Sequence, residues 1–498
     1  MSEDHDTTLS FDDLKPHNSN NDCWIAVHSK VYDVTNFLDA HPGGSAIILK
    51  YAGKDATTAY DEVHAPGILE ESLSAENFKG LLDQAEVVTL PEDQKEDIKQ
   101  IETTRGQSTS TEKYAKPDLF QLISAQDFED AARNSLTKKA WAFYSSAATD
   151  LITHHSNSNF YRKIMLRPQV MRNVAEVKTE CSILGVPSSA PFFVSPAAMA
   201  RLAHPDGELA LARGCASEQL IQCVSNNASY PLASITSAGT TNQPFFLQLY
   251  VNADRAKTTQ LLNSASSLGI RAIFVTVDAH VPGKREADER IAAENVSSAI
   301  SGAMAGNDKK GGGMGRLMGQ YIDKTLSWDD IPWIQEASGL PVVVKGIQSA
   351  ADAKKALEYN VAGIFLSNHG GRSLDTAQPS ILTLLELHHV CPEIFETGVE
   401  IYIDGGITRG TDILKALCLG ATAVGIGRPF LYSLCYGQEG VEHMISILKD
   451  ELETSLRLVG VTDVERLYPG LVNTKDIDHL VPESEDHPWI RWRPRAKL

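Results

Sequence analysis

AGIFLSNHGGR, residues 362–372, is a short apolar run that passes without a spacer into polar residues and glycine. Seven other runs have the same form: PFFVS (191–195), LIQCVS (220–225), PFFLQL (244–249), AIFVTV (272–277), PVVVK (341–345), VEIYID (399–404) and AVGIG (423–427). Helix-like stretches such as DRAKTTQLLNSASSLG and SAADAKKALEYN lie between most of them. Apolar runs alternating with helical patterns indicate parallel strands, buried on both faces, with helical crossovers. Eight is the strand count of a closed (β/α)8 barrel, an α/β fold, whereas an open doubly wound sheet gives no reason for eight. The interval 290–320, with AGNDKKGGGMGRLMG, breaks the rhythm. It reads as too glycine-rich and polar to pack, a mobile excursion after the fourth strand of the kind barrels use as lids.

In a barrel the strand ends and the loops after them share one rim. Here that rim would hold Ser195, Ser225, Gln248 with Tyr250, Thr276 with Asp278, Lys345, the Ser-Asn-His-Gly-Gly-Arg run, Asp404 and Arg428. Gly405, Gly406, Gly425 and Gly427 with Arg428 sit at the strand-7/8 position where barrels commonly bind phosphate. Lys345 ends a buried strand, and burying a lone charge is costly, so it fits a group that neutralises a ring or oxyanion. His369 can take a proton near neutral pH, Arg372 can clamp a carboxylate, and Asp278 is placed to stabilise an imidazolium. His154, His155, His388 and His389 lie in helical patterns away from the rim and read as surface histidines. Ala198 and Leu249 read as small pocket walls.

The 498 residues carry 45 Lys+Arg against 64 Asp+Glu, a net charge of −19. Such a chain is a poor ligand for nucleic acid or an anionic membrane and attracts basic partners. Seven scattered cysteines without a C-x-x-C read as reduced thiols. No run of 18 apolar residues and no signal-like apolar segment is seen, so a cytoplasmic protein is expected. The acidity is concentrated at the front, where residues 1–80 hold 14 Asp+Glu against five Lys and no Arg. The expected organisation is a small domain over 1–83, a polar flexible linker over 84–116, the barrel over 117–472 and a tail over 473–498. In the small domain His41 opens His-Pro-Gly-Gly and His64 follows among apolar residues. Two imidazoles converging on one metal suit haem iron, and six-coordinate haem carries electrons without binding substrate.

Over 117–472 the chain resembles the FMN-dependent α-hydroxy-acid dehydrogenase/oxidase family. SNHGGRSLD (367–375), VTVDA (275–279), QLYVN (248–252), KGI (345–347), DGG (404–406) and GIGRPFLY (425–432) carry the likeness, in the family's order. The resemblance implies a barrel holding FMN that oxidises an L-2-hydroxy acid to a 2-oxo acid. It makes His369 the base, stabilised by Asp278, and gives the substrate carboxylate to Arg372 and Arg285, with Tyr250 donating a hydrogen bond. Lys345 would sit at the flavin N1/O2 edge, and Ser225, Gln248 and Thr276 at the flavin ring, with Ser195 also among the cofactor-binding residues. Asp404, Gly405, Gly406, Gly427 and Arg428 would hold ribityl and phosphate. Three positions depart from the pattern. Phe143 replaces a substrate-contacting Tyr, losing a charge-assisted bond of about 1.5–3 kcal/mol. Thr408 replaces a phosphate-side Arg, leaving Arg428 and Arg409 to balance the phosphate, and His280 stands where Pro is usual.

Residues 8–83 resemble the cytochrome b5 fold through VYDVTNFLDAHPGG and YAGKDAT, which makes His41 and His64 the axial ligands of haem b. A b5-type domain before such a barrel is the order of the flavocytochrome b2 family. That likeness implies L-lactate as substrate, cytochrome c or a similar basic one-electron acceptor, and a homotetramer. It also offers the mitochondrial intermembrane space as a second compartment. Two other readings stay open on sequence: an FMN-dependent oxidase using O2, and a non-catalytic haem electron-transfer protein.

Overall fold

The computed structural model describes residues 8–38, 41, 45–57, 59–60, 64, 68–83, 116–240, 243–292, 296–305 and 312–484. All of the expected linker but Lys116, the Pro-Gly-Gly after His41 and the last 14 residues of the tail lie outside them. The chain divides into two compact units, Met1–Lys116 with Thr137–Lys139, and Pro117–Leu136 with Ala140–Leu498.

The second unit is a closed barrel of eight parallel strands. They are β1 (Phe192–Val194), β2 (Gln222–Val224), β3 (Phe245–Leu249), β4 (Ile270–Thr276), β5 (Val342–Ile347), β6 (Gly363–Leu366), β7 (Glu400–Ile403) and β8 (Ala423–Ile426). Neighbours in sequence are neighbours in space, and β8 closes on β1 through Val424↔Phe192, Gly425↔Phe193 and Ile426↔Val194. Each strand falls on one of the eight apolar runs. The crossovers follow their local chemistry. SAADAKKALEYN, for example, forms the helix Ala350–Glu358, capped by Ser349 accepting the Asp352 N–H at 3.2 Å. That helix buries Ala350, Ala353 and Ala356 at a spacing of three.

Side chains on a strand alternate between barrel interior and helical layer. Phe193, Phe246, Phe274, Phe365 and Tyr402 point inward and form an aromatic plug; the Phe193 ring lies 5.6 Å from Phe365 and 5.8 Å from Tyr402, edge to face. Gln248, two residues beyond Phe246, therefore also faces inward, above the plug. Leu247 and Leu249 face the other way, packed with Ile235, Leu262 and Ile334 in the helical layer. Leu249 is thus not a pocket wall: the period of two that brings Gln248 into the barrel turns Leu249 out of it.

The interval 290–320 also departs from expectation, because its described parts pack. Val296–Ser297 pairs antiparallel with Met304–Ala305, and the short helix Met314–Met318 buries both its methionines. Two methionines and Ala303 supply apolar surface that the glycine count concealed. Beyond residue 472, Val472–Asn473 pairs with Met165–Leu166, and Ile477 and Val481 join the barrel unit's core. None of the seven cysteines forms a disulfide. No helix among the described residues is long and apolar enough to cross a membrane.

The first unit has a five-stranded sheet in the order Thr8–Leu9, Phe78–Leu82, Lys30–Asp33, Asp22–Val27, Asn18–Ser19. One face packs Ile25, Val27, Tyr32 and Val34 against Leu38, Ala52, Ala56 and Leu69. The other buries Leu14, Ala26, Val31 and Leu82.

Candidate active site

The C-terminal strand ends enclose a cavity of about 730 Å³, within the usual range for small-molecule sites. Ser195, Ser225, Gln248, Tyr250, Thr276, Arg285, Lys345, His369, Arg372, Asp404, Gly405, Gly406, Arg409, Gly427 and Arg428 all line it, as do Phe143 and Ala198. Asp278 stands behind His369, fully buried, while the imidazole reaches the cavity.

The loop after β6 explains its own sequence. His369, Gly370 and Gly371 take φ of 59°, 63° and 76°, a left-handed path that only glycine adopts without cost. A Cβ on Gly371 would also lie 2.7 Å from the His154 backbone nitrogen. Asn368 pins the curl: its Oδ1 accepts the Gly371 N–H at 3.1 Å, and its carboxamide pairs with that of Asn157 at 2.7 and 2.9 Å. Strain of this kind concentrates at functional loops, and here it presents His369 to the cavity. His369 Nδ1 lies 2.8 Å from Asp278 Oδ1, and Nε2 lies 3.3 Å from the Tyr250 hydroxyl. Gly346, at φ 115°, makes room for the aspartate, since a Cβ there would sit 2.6 Å from Asp278 Cβ. Burial lowers the pKa of His369 below the ordinary imidazole value; the Asp278 charge raises it in part, and Lys345 and Arg285 oppose protonation. The ring is therefore neutral near pH 7, with its Nδ1–H donating to the Asp278 carboxylate and a lone pair at Nε2.

Lys345 Nζ donates to Ser367 Oγ at 2.7 Å and lies 3.3 Å from Asp404 Oδ2 and 4.8 Å above the Phe365 ring. Burial opposes its charge, but Asp404 and Asp278 outweigh burial and hold its pKa above the ordinary range. Gln248 Nε2 donates to Thr276 Oγ1 at 3.0 Å, and its Oε1 accepts the Asn226 N–H at 3.1 Å.

Arg372 Nη1 donates to the carbonyls of Tyr144 (2.9 Å) and Ser146 (2.8 Å), and Nη2 to that of Phe143 (2.9 Å). Three of the five guanidinium protons are thus used to hold the 143–146 segment, leaving Nε–H and one Nη2–H. Arg285 Nε donates to the Arg372 carbonyl at 3.3 Å. Arg428 reaches the carbonyls of Tyr144 (3.1 Å), Ser146 (3.2 Å) and Gly370 (3.1 Å). Burial and the neighbouring guanidinium groups of Arg285 and Arg428 push the Arg372 pKa far down. Cations packed so closely call for anionic guests.

The residues present fit FMN and a carboxylate. Ser195 Oγ and Asp404 Oδ1 line the cavity buried and without a hydrogen-bond partner among the described residues. Gln248, Thr276 and Lys345 offer polar atoms to a heteroaromatic ring, and a Cβ on Gly427 would meet nothing closer than Ser195 Cβ at 3.8 Å. Arg409 lines the cavity, but its guanidinium is bound to Glu451 at 2.6 Å, so its charge is shared. The Thr408 and Arg409 amides are taken by Asp412 Oδ2, at 3.1 and 3.2 Å.

The surface assignment of His154 is overturned. Its Nδ1 lies 3.2 Å from Arg428 Nη1, and burial, with the Arg428 charge, pushes its pKa down to about 3. His154, Ser158 and Arg162 line the cavity from the helix Ile152–Lys163. Their i, i+4, i+8 spacing in a polar helix was the available signal. His155 lines the cavity's edge. His388 is no surface residue either: it stacks on Phe395 at 4.2 Å and its Nε2 lies 2.8 Å from the Leu419 carbonyl oxygen. Asn227 and the second aromatic of the 143–144 pair, Tyr144, also line the cavity and were not foreseen.

In the first unit the rings of His41 and His64 lie 5.7 Å apart, with Tyr60 stacked on His64 at 4.7 Å. His64 Nδ1 is buried without a hydrogen-bond partner among the described residues. Burial and the facing His41 depress its pKa, keeping the neutral form that ligates metal. No group of three or more His, Cys, Asp or Glu among the described residues could hold a metal ion. A facing imidazole pair fits haem iron, whose ring supplies the other ligands.

Comparison with known proteins agrees with this geometry. Residues 132–474 match the FMN-dependent dehydrogenase family, and residues 10–83 match the cytochrome b5-like heme/steroid binding domain. The chain is 39% identical over 488 residues to an L-lactate dehydrogenase (cytochrome) of Wickerhamomyces anomalus, covering 97% of this chain and 83% of that one. It is 38% identical over 366 residues to glycolate oxidase 2 of Oryza sativa subsp. indica, covering 72% of this chain and 96% of that one. Among solved structures it is similar to the recombinant flavin-binding domain of baker's yeast flavocytochrome b2 (TM-score 0.66, 40% identity, 76% of this chain and 92% of that one). An oxidase without the front domain matches the barrel alone, and the cytochrome-type dehydrogenase matches nearly end to end. With the His–Asp pair, the cation-rich cavity and the facing imidazoles, this places the chain in the FMN-dependent dehydrogenase family, as a member that carries a cytochrome b5-like haem domain ahead of its barrel.

Proposed function

We propose that the chain oxidises an L-2-hydroxy acid, with L-lactate the first to test, to the 2-oxo acid and passes the electrons through haem b to a basic one-electron acceptor of the cytochrome c type. The observation that carries the reading is the His369–Asp278 pair, with Nε2 open to a cavity that also presents Arg372, Arg285 and Tyr250. FMN, when bound, supplies a two-electron acceptor, and haem b passes electrons on singly. Arg372 holds the substrate carboxylate through its remaining Nε–H and Nη2–H, and Arg285 adds charge beside it. The Tyr250 hydroxyl, 3.3 Å from Nε2, hydrogen-bonds the substrate oxygen next to the base. His369 Nε2 takes the proton released as the α-C–H bond is broken, and Asp278 stabilises the resulting imidazolium. Lys345 stays charged on Ser367 and Asp404 and would balance negative charge on a bound flavin. The aromatic plug below excludes water from that charge pair, which strengthens it.

Stopped-flow mixing with L-lactate tests the reading: flavin bleaching should precede haem reduction, and cytochrome c should be reduced without stoichiometric peroxide. Peroxide in place of reduced cytochrome c would make the protein an oxidase. Replacing His64 with Ala should abolish the haem Soret band and with it most of the cytochrome c reduction, since the electron relay is lost. Flavin bleaching by L-lactate should change less than about twofold in that variant, because the two sites fold on separate cores. The excess of Asp+Glu over Lys in residues 1–80 supports a basic acceptor, so the wild-type rate with cytochrome c should fall as salt rises.

Phe143 lies in the cavity wall with its ring 5.4 Å from the Arg372 guanidinium carbon. Phe143→Tyr would add a donor beside the carboxylate clamp. The expected result is a KM lowered up to about tenfold for every acid accepted, with kcat moved less. An unchanged KM across a panel of acids would remove Phe143 from the carboxylate site.

A further inference from the structure

The cavity has a second end, beside the loops after β7 and β8, where a barrel commonly holds phosphate. The phosphate of FMN brings close to two negative charges there near neutral pH. Four cationic side chains line that end: Arg162, Arg409, Lys415 and Arg428. Three of them are committed to the protein. Arg428 turns four of its five N–H groups inward, to the carbonyls of Tyr144, Ser146 and Gly370 and to His154 Nδ1. Arg409 is held by Glu451 at 2.6 Å. Lys415 Nζ donates to the Tyr161 carbonyl at 2.8 Å, and burial lowers its pKa. The Thr408 and Arg409 amides are taken by Asp412, whose carboxylate lines the same wall. Among the described residues the Arg162 guanidinium has no hydrogen bond and no ion pair.

Two contacts place Arg162 at this end. The turn after β7 lies directly on the helix Ile152–Lys163, since a Cβ on Gly406 would sit 2.3 Å from the Asn157 carbonyl carbon and 2.4 Å from the Ser158 nitrogen. The helix Gly410–Cys418 meets the last turn of the same helix through the bond from Lys415 to Tyr161. Ser158 and Arg162, four residues apart, share one helix face, and both line the cavity. Arg162 therefore stands where the turn after β7 gives way to the next helix. Thr408 and Thr411 line the wall beside it and bring no charge. Arg162 is itself exposed, at the outer edge of the cavity. An unpaired arginine is ordinary on a solvated helix; this one faces a wall from which the other cations have been drawn away.

We propose that Arg162 is the principal cationic partner of the FMN phosphate in this chain. Arg428 then chiefly organises the backbone of 143–146 and Gly370, and lends the phosphate its one remaining N–H. The planar fork of an arginine matches phosphate oxygens in pairs, which a lysine cannot reproduce. The proposal rests on FMN as the cofactor and is independent of which acid is oxidised.

Riboflavin, which is FMN without the phosphate, isolates the contact. The full-length haem-loaded protein, stripped of flavin, is titrated with each compound while quenching of flavin fluorescence is followed. Arg162→Leu should weaken FMN binding about ten- to a hundredfold and move riboflavin binding less than about twofold. The rate at which FMN leaves the loaded enzyme on dilution should rise in the same variant. Salt should weaken FMN binding more in the wild-type protein than in the variant. Arg162→Lys keeps the charge without the fork, so it should still lose severalfold in FMN affinity, and it carries the test if the leucine variant does not fold. FMN affinity within about twofold of wild type in both variants, or equal losses for FMN and riboflavin, would overturn the proposal. A protein that shows the expected FMN losses yet whose wild type oxidises no 2-hydroxy acid would leave this proposal standing and overturn the functional reading instead.

Discussion

His369→Gln is expected to lower the rate of flavin reduction by L-lactate roughly 10³-fold or more, the upper part of the range for a positioned general base. The glutamine can still hydrogen-bond Asp278 but has no lone pair on a basic nitrogen, so the flavin should bind and stay oxidised. Less than a tenfold loss would remove His369 from the chemistry. The pH dependence has a defined sign. Burial holds the imidazole pKa below its ordinary value, so the base is ready at neutral pH and kcat/KM falls only on the acid side of the usual histidine range. Asp278→Asn takes away the charge that favours protonation. The acid limb should therefore move further down in pH, and the plateau should drop because the imidazolium loses its counter-charge. A limb that moves upward would contradict the 2.8 Å pairing of Nδ1 with Asp278 as the controlling contact.

Arg372→Met is expected to cost about as much. Two charge-assisted hydrogen bonds to the carboxylate, at about 1.5–3 kcal/mol each, correspond to roughly a 10²–10⁴-fold fall in kcat/KM. The same substitution frees the carbonyls of Phe143, Tyr144 and Ser146, so the wall opposite the base loosens as well. Arg372→Lys separates the two effects. A lysine keeps the charge but not the fork, and it cannot reach three carbonyls and a carboxylate together. It should recover binding only in part, with KM raised more than kcat is lowered. If Arg372→Met left KM for L-lactate within about twofold, Arg285 would have to be the carboxylate's main partner.

Much of the site was legible because barrel topology makes a strand's last residue an address. Lys345 at the end of β5, His369 and Arg372 after β6, and Asp404 after β7 had to meet once the chain closed in order. SNHGGR was informative because its two glycines mark a left-handed turn that brings a histidine and an arginine to the same opening. Residues placed by packing were less legible. His154 sits on a helix outside the barrel, and the packing of the loop after β6 against that helix, through Gly371 and the Asn368–Asn157 pair, brings it to the cavity. Leu249 failed through a single register step, since a continuous apolar run does not show which residues face inward. The methionines of the helix Met314–Met318 were masked by the glycines around them.

The amino-acid sequence by itself determined the eight-stranded parallel barrel, the separate acidic front unit with its two histidines, and the polar residues at each strand end. These depend on the order of apolar runs and on local backbone preference, which are properties of the linear chain. Only the tertiary structure decided that His154 meets Arg428 at the cavity, that Arg372 and Arg428 grip the 143–146 carbonyls, and that Arg409 shares its charge with Glu451. Those outcomes depend on which donors and acceptors, far apart in the chain, are left to satisfy one another once water is excluded, and that is settled in three dimensions.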